Sequence, residues 1–225
     1  MERLKNAGKL VLPITGRPAG WCDHIARMWP VDAVVGENGA FYFWHDASAR
    51  RLRKRYIDTD DQRARHRARF DAIARRILAQ VPGCALASDQ AYRENDLAID
   101  YCEDVAPLPL EAAERIAALM RDEGLNAKIS SIHVNGWFGD YDKLATTRLL
   151  LEERFGLQLD AANAELAFLG DSPNDAPMFA FFQNSVGVAN VARFAGRLAA
   201  PPNYVTRAAA GAGFAEFVCH LLGEA

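Results

Sequence analysis

The sequence predicts an α/β protein built on a parallel sheet, with a second, α+β domain inserted into it. Three observations carry this. An apolar run, Lys9 to Ile14, is followed by a helical stretch through His24, Ile25 and Met28 and by a second apolar run, Ala33-Val34-Val35. Strand, helix, strand in that order is a βαβ unit, whose strands run parallel. From Ala49 to Val134 the pattern becomes helix, two strands, helix, strand. From Asp142 the alternation of helix and strand resumes. One strand there, Glu165-Leu166-Ala167-Phe168-Leu169, runs into the loop Gly170-Asp171-Ser172-Pro173-Asn174-Asp175.

Each element has its own signal. Leu4-Lys5-Asn6-Ala7-Gly8 is the last turn of a helix, stopped by Gly8. The run Lys9–Ile14 ends at Thr15-Gly16-Arg17-Pro18, and Ala33-Val34-Val35 closes at Gly36-Glu37-Asn38-Gly39. Phe41-Tyr42-Phe43-Trp44 is a β segment. Between Ala49 and Arg76 arginines abound and glycine is absent, and Phe70, Ile73, Ile77 and Leu78 keep helical spacing. That stretch reads as one amphipathic helix. Cys84 to Ser88 and Leu97 to Tyr101 follow as strands. Leu110 to Glu123 is a second amphipathic helix with Ile116, Leu119 and Met120 on one face, ended by Gly124, and Lys128 to Val134 is a further strand. Leu144 to Phe155 is a helix stopped by Gly156. Pro177-Met178-Phe179 opens the helix after the acidic loop. Ser185 to Val188 and Tyr204 to Thr206 are strands, and Phe214 to Leu222 is a terminal helix.

The bulk properties narrow the function classes. The chain has 225 residues, a net charge of −3 and 50% hydrophobic residues, with mean hydropathy −0.13 and a pI near 6.0. This is ordinary globular composition for one large or two smaller domains. The basic run Arg50, Arg51, Arg53, Lys54, Arg55 and its continuation from Arg63 to Arg69 sit in an acidic chain. They read as a solvated face of the inserted domain, not as a nucleic-acid surface. No apolar run reaches the length of a membrane span, and the polar stretch Met1 to Gly8 has no signal-peptide core. Cys22, Cys84, Cys102 and Cys219 show no Cys-x-x-Cys spacing, which fits free thiols of a cytoplasmic protein. His24, His45, His66, His133 and His220 show no metal-ligand spacing.

Three polar clusters stand at strand ends. Thr15-Gly16-Arg17 brings a hydroxyl and backbone N–H groups to a strand-to-helix turn, where a phosphoryl oxygen can be held. Lys143 opens a helix and can serve as a fixed positive charge between a carboxylate and a phosphate. The loop Gly170 to Asp175 gathers two carboxylates and an amide past a strand's carboxyl end, where open α/β sheets hold ligands. Its oxygens suit Mg²⁺, and Asp171 and Asp175 are the metal candidates. The same residue types also cap helices. Hydroxyl, lysine and metal carboxylate at one sheet edge are what phosphoryl transfer needs, since that chemistry is mostly positioning and charge neutralisation. Arg93 and Glu94 fall in a hairpin of the inserted domain, where substrate contact and plain turn chemistry explain the residues about equally. Trp137 and Phe138 lie where the chain returns from it, suited alike to stacking on a sugar ring and to hinge packing.

The order Thr15-Gly16-Arg17, Glu37-Asn38-Gly39-Ala40, Asp142-Lys143, Gly170-Asp171-Ser172-Pro173-Asn174-Asp175 resembles the haloacid dehalogenase (HAD) superfamily. More closely, it is similar to the type IIB phosphatases with an inserted αββαββ cap, such as those of sucrose phosphate and mannosyl-phosphoglycerate. The resemblance spans nearly the whole chain, including Tyr204-Val205-Thr206 and Gly211-Ala212-Gly213-Phe214. It implies a Rossmann-like parallel core of residues 1–48 and 139–225 and a cap of residues 49–138. It implies a phosphate-binding hydroxyl at Thr15, with Gly16 and Arg17 beside it. It implies a site-lining asparagine at Asn38 and, at Lys143, the lysine that steadies nucleophile and phosphoryl group. Asp171 would be a metal ligand, with Asn174 and Asp175 supporting phosphate and metal shell.

The sequence departs from the family at one place. The family's first motif, Asp-x-Asp-x-Thr, supplies the attacking carboxylate that forms a phospho-aspartate. No aspartate precedes Gly8 here, so the chain reads as truncated at its N-terminus and lacking the first core strand. Asp32 and Asp46 stand in loops that the family does not use for attack. The expectation is a Mg²⁺-dependent phosphatase of a small phosphorylated metabolite, a sugar phosphate, in the intact form, and an inactive chain as it stands. The alternatives are a non-catalytic phosphosugar-binding protein and a phosphosugar mutase.

Overall fold

The computed structural model describes residues 1–196 and 198–224. In chain order the helices are α1 (Glu2–Asn6), α2 (Ala19–Met28), α3 (Asp60–Gln80), α4 (Leu110–Asp122), α5 (Lys143–Phe155), α6 (Ala176–Phe181) and α7 (Ala210–Leu221). The strands are β1 (Val34–Gly36), β2 (Phe41–Asp46), β3 (Arg51–Tyr56), β4 (Ala85–Leu86), β5 (Asp96–Asp100), β6 (Asn126–Ile129), β7 (His133–Trp137), β8 (Ala167–Gly170), β9 (Asn184–Gly187) and β10 (Tyr204–Val205). They form two compact units: Leu12–Thr146, and Met1–Val11 with Thr147–Ala225.

In the unit Leu12–Thr146, β1, β2 and β3 make an antiparallel sheet in that order. Helix α2 buries Ala19, Cys22, Ile25 and Ala26 with Phe41 and Phe43 of β2. The Phe41 and Phe43 rings stack at 4.1 Å, and Tyr56 meets both edge-on. β3 corrects the single helix expected over Ala49–Arg76. Its registry with β2, Phe41 opposite Tyr56 through Asp46 opposite Arg51, places Leu52 and Tyr56 against the aromatic cluster. Period-two alternation with Arg51, Arg53 and Arg55 suits a half-buried strand. The helix begins only at Thr59, where Gln62 N–H donates to Thr59 Oγ1 (3.3 Å) and Thr59 N–H donates to Gln62 Oε1 (2.9 Å), a reciprocal cap.

The αββαββ succession α3, β4, β5, α4, β6, β7 follows, with an antiparallel sheet in the order β4-β5-β7-β6. One face of the sheet packs Leu97, Ile99 and Val134 beneath Phe70, Ile73 and Ile77 of α3 and Ile116, Leu119 and Met120 of α4. The alternate residues Asp96, Asp100, His133 and Asn135 line the opposite face and are buried too. The strand expected over Lys128–Val134 is instead a hairpin. Ser130 Oγ accepts from the N–H groups of Ile132 (3.4 Å) and His133 (3.0 Å), which turns the chain back between β6 and β7.

The run Lys9–Ile14 is not a strand. It reaches only an isolated parallel bridge between Ile14 and Val35, through Thr15 N–H to Val35 O and Val35 N–H to Pro13 O, both 2.9 Å. Pro13 has no N–H with which to extend that ladder.

In the unit of Met1–Val11 and Thr147–Ala225, β8, β9 and β10 form a parallel sheet in the order β10-β9-β8. Phe168 of β8 packs on Phe179 and Phe182 at 5.6 and 5.7 Å. Asn163 ties the loop before β8 to the end of α6, donating to Phe181 O and accepting from Gln183 N–H. Helix α7 starts at Ala210, ahead of the expected Phe214.

One packing detail is testable at once. The Tyr141 hydroxyl is buried without a hydrogen-bond partner, while its ring stacks on Trp137 at 6.1 Å. Tyr141→Phe keeps the ring and removes an unmatched polar group. It is expected to raise unfolding stability by about 1 kcal/mol in urea denaturation; a loss of that size would mean that the hydroxyl is bonded.

Candidate functional site

The turn after Ile14 is organised by its own hydroxyl. Arg17 N–H donates to Thr15 Oγ1 at 3.0 Å, which leaves the hydroxyl proton to donate elsewhere. Asn38 N–H donates to Thr15 O and Glu37 N–H to Arg17 O, both at 3.1 Å, so the turn at Glu37–Gly39 lies directly on the Thr15–Arg17 turn. The Asn38 side chain is buried, and neither its Nδ2 nor its Oδ1 has a partner. Its amide presses on Gly16, where an added Cβ would stand 3.0 Å from Oδ1 and 3.1 Å from Nδ2.

Lys143 is the first residue of α5 and is buried. Asp142 caps that helix, its Oδ1 accepting from Ala145 N–H at 2.7 Å. Thr146 Oγ1 donates to Gly39 O at 2.6 Å. The start of α5 is therefore fixed to the turn that carries Asn38. Thr15, Gly16, Arg17, Asn38 and Lys143 all belong to the unit Leu12–Thr146.

Arg17 does not present a lone guanidinium. Its Nη2 lies 2.9 Å from Glu103 Oε1 and its Nη1 3.4 Å from Asp89 Oδ2. Arg93 is buried; its Nε and Nη2 grip both oxygens of Asp89 (3.0 and 3.2 Å), and its Nη1 donates to Asp96 Oδ1 (3.0 Å) and to Gly16 O (2.9 Å). Glu94 accepts from the Tyr56 hydroxyl (2.7 Å) and from Arg63 (2.9 Å). Glu37, named in sequence only as part of a turn, proves to be a fully buried carboxylate. An acidic residue flanked by Val34-Val35-Gly36 and Asn38-Gly39 is the signal that marks it.

The acidic loop belongs to the other unit. Asp175 turns its carboxylate into the loop itself: Oδ2 accepts from Asp171 N–H (3.1 Å) and Ser172 N–H (3.3 Å). Ser172 Oγ donates to Asn174 Oδ1 at 2.5 Å. Asp171 is half-buried, and its Oδ2 accepts from Asn190 Nδ2 at 2.8 Å. No group of three or more His, Cys, Asp or Glu among the described residues is placed to hold a metal ion. Mg²⁺ commonly takes only one or two carboxylates and completes its shell with water and substrate phosphate. Asp171 fits as one such donor, whereas the Asp175 Oδ2 is committed to the loop backbone.

No family model matches the chain, and no curated protein matches it in sequence. Solved structures do match. A protein of Thermoplasma acidophilum is 16% identical, with 98% of this chain and 88% of that one covered at a TM-score of 0.67. The sucrose-phosphatase of Synechocystis, solved with sucrose and phosphate, is 14% identical, covering 97% and 88% at 0.62. A HAD subclass IIB sugar phosphatase is 12% identical, covering 100% and 90% at 0.63. At these identities the likeness is one of fold. The chain has the fold of the HAD superfamily in its capped form, an α/β parallel-sheet core with an αββαββ insertion, as the motifs led one to expect. Among the described residues no helix is long and apolar enough to cross a membrane.

Proposed function

We propose that this chain is the phosphoryl-binding body of a phosphatase that acts on a small phosphorylated carbohydrate, with residues 1–48 and 139–225 as core and 49–138 as cap. The observation that carries the reading is the Asn38 carboxamide, buried and unpartnered beside Thr15 and Gly16. A buried amide with both polar atoms unused is costly unless something fills the place. A phosphoryl oxygen can accept from the Asn38 Nδ2 and a sugar hydroxyl can donate to its Oδ1, so a phosphorylated sugar can match both atoms. Two structural neighbours support the class: a sucrose-phosphatase and a trehalose-6-phosphate phosphatase related protein.

In this reading Thr15 donates its hydroxyl proton to a phosphoryl oxygen, and Gly16 lets that oxygen approach the backbone. Asn38 fixes the orientation of the bound group. Lys143 supplies positive charge against the phosphate, and Asn174 supports the loop that presents Asp171. Arg17 reaches the phosphate only by loosening from Asp89 and Glu103. Asp171, in the other unit, is the candidate ligand for Mg²⁺, which bound there would supply positive charge. The sequence holds no Asp-x-Asp-x-Thr motif, so the residues named here account for phosphoryl binding and charge neutralisation and not for nucleophilic attack. A cytoplasmic setting is supported by the four free cysteines.

Calorimetry with inorganic phosphate and hexose phosphates, with and without Mg²⁺, tests this. Asn38→Ala is expected to weaken binding by about tenfold or more, the value of one hydrogen bond to a charged group. Asp171→Ala should weaken the binding of Mg²⁺ itself and leave metal-free phosphate binding intact. Equal affinity of Asn38→Ala and the wild type would sink the site. Robust Mg²⁺-dependent phosphate release would sink the reading of the chain as lacking its nucleophile.

A further inference from the structure

Glu37 gathers N–H donors from separate segments. Its Oε1 accepts from Ala19 N–H at the start of α2 (2.8 Å) and from Glu94 N–H (2.9 Å). Its Oε2 accepts from Asn95 N–H (2.5 Å) and Asn95 Nδ2 (3.0 Å). Every partner is a donor, the arrangement an ionised carboxylate requires, since a protonated one needs an acceptor for its own proton. The backbone here is unusual: Glu37 has φ of 43° and Asn38 φ of 56°, two successive non-glycine residues in the left-handed region. Such conformations persist only where the surroundings hold them.

The hold is reciprocal. The Glu37 carboxylate receives from residues 94 and 95, while Arg93 of the same segment donates to Gly16 O on the neighbouring turn. Residues facing Glu37 are Asp96 and Arg93 from the segment entering β5, Cys22 from α2, Tyr56 from β3 and Tyr141 ahead of α5. Burial and the Asp96 charge raise the Glu37 pKa above the ordinary carboxylate value, while the N–H bonds donated by Glu94 and Ala19 and the Arg93 charge favour the ionised form, the form that an environment made only of donors requires.

We propose that Glu37 is a positioning residue. By tying the Glu37–Gly39 turn to Glu94 and Asn95 and to the start of α2, it fixes the left-handed backbone that lays the Asn38 carboxamide against Gly16. The proposal rests on the phosphate reading only in what it says the carboxamide is positioned for. This is a role distinct from touching substrate, since all four oxygen contacts above are internal.

The test is Glu37→Gln, which keeps length and volume but turns one acceptor into a donor facing N–H groups. In the ligand-free protein, amide exchange at Ala19, Glu94 and Asn95 should rise about tenfold, the effect of losing one buried hydrogen bond. Amides of α4 should keep their rates, and the Asn38 side-chain NH₂ resonances should shift. Inorganic phosphate should bind about tenfold more weakly, as in Asn38→Ala, and the double variant no more weakly than either single one, because both changes remove the same interaction. A stabilising role alone would leave the double variant additive. Unchanged exchange at Glu94 and Asn95, unmoved Asn38 resonances or full additivity overturns the proposal. If wild-type protein binds no phosphate, the site reading fails while exchange and resonances still decide on Glu37. Should Glu37→Gln not fold, Asn95→Ala removes one donor and is expected to move the same Asn38 resonances; no movement there also overturns the proposal.

Discussion

Gly39→Ala is expected to lower the unfolding free energy by about 3 kcal/mol or more and to abolish phosphate binding. Gly39 has φ of +112°, where only glycine is at ease. The added Cβ would stand 2.2 Å from Asp142 O and 2.4 Å from its carbonyl carbon. These are backbone atoms and cannot swing aside. Asp142 is itself pinned, with its side chain capping Ala145 and its carbonyl accepting from Thr146 N–H. Relief therefore has to move Lys143 at the head of α5 or Asn38 in the turn, and either displaces a candidate phosphate-binding group. Gly124→Ala is the control. It also replaces a glycine of positive φ, +84°, but nothing lies within 4 Å of the new Cβ, so about 1 kcal/mol is expected. Urea unfolding of the two variants measures the difference. Equal losses would mean that the approach of Gly39 to Asp142 does not constrain the fold.

The elements read correctly from sequence were those whose signal is local. Helix stops at Gly8, Gly124 and Gly156 all take positive φ. The acidic loop followed β8 as its Gly and Pro implied. Misreadings arose where the deciding interaction was distant. Arg51–Tyr56 looked helical because charged residues suit a solvated helix, and six residues are too few to separate period two from 3.6; pairing with β2 decides it. The turn at Ser130 lay hidden between two β-forming runs, and its two side-chain hydrogen bonds have no trace in hydropathy. Lys9–Ile14 has strand-like composition, but a strand is made by its neighbours, and Pro13 blunts the one it has.

The candidate site divides in the same way. Thr15, Asn38, Lys143 and Asp171 can be singled out as candidates because short motifs name them. The ties around them were not. Glu37 and Asn95 are 58 residues apart, and in sequence a buried, fully bonded Glu or Arg looks the same as a solvated one. Arg93 in particular carries both turn chemistry and burial, and only the fold shows that its guanidinium reaches Gly16 O.

Arg93→Met should cost about 3–5 kcal/mol at neutral pH, the usual penalty for removing one partner of a buried ion pair. Met keeps the bulk of the stem, so the loss is chiefly electrostatic. The Arg93 side chain is 1% exposed and that of Asp96 fully buried, so Asp96 would be left charged with Asn135 Nδ2, 2.9 Å away, as its remaining side-chain donor among the described residues. The pH dependence follows from sign. Burial already raises the Asp96 pKa above the ordinary carboxylate value, and Arg93 pulls it back down. Without Arg93 the folded-state pKa climbs further. An acid whose folded pKa is raised adds stability that is complete below its unfolded pKa and is lost as pH rises through the folded one. The gap between wild type and Arg93→Met should therefore be small near pH 4, the unfolded carboxylate range, and widen toward neutrality. Adding Asp96→Asn removes the more deeply buried of the two carboxylates that Arg93 pairs, Asp89 keeping Arg17 at 3.4 Å, so Arg93→Met with Asp96→Asn should recover part of the loss at pH 7. Denaturation curves for the three variants from acid to neutral pH measure this. A pH-independent gap, or a double variant as unstable as the sum of the singles, would mean that Arg93 acts through packing and its bond to Gly16 O, and not by neutralising Asp96.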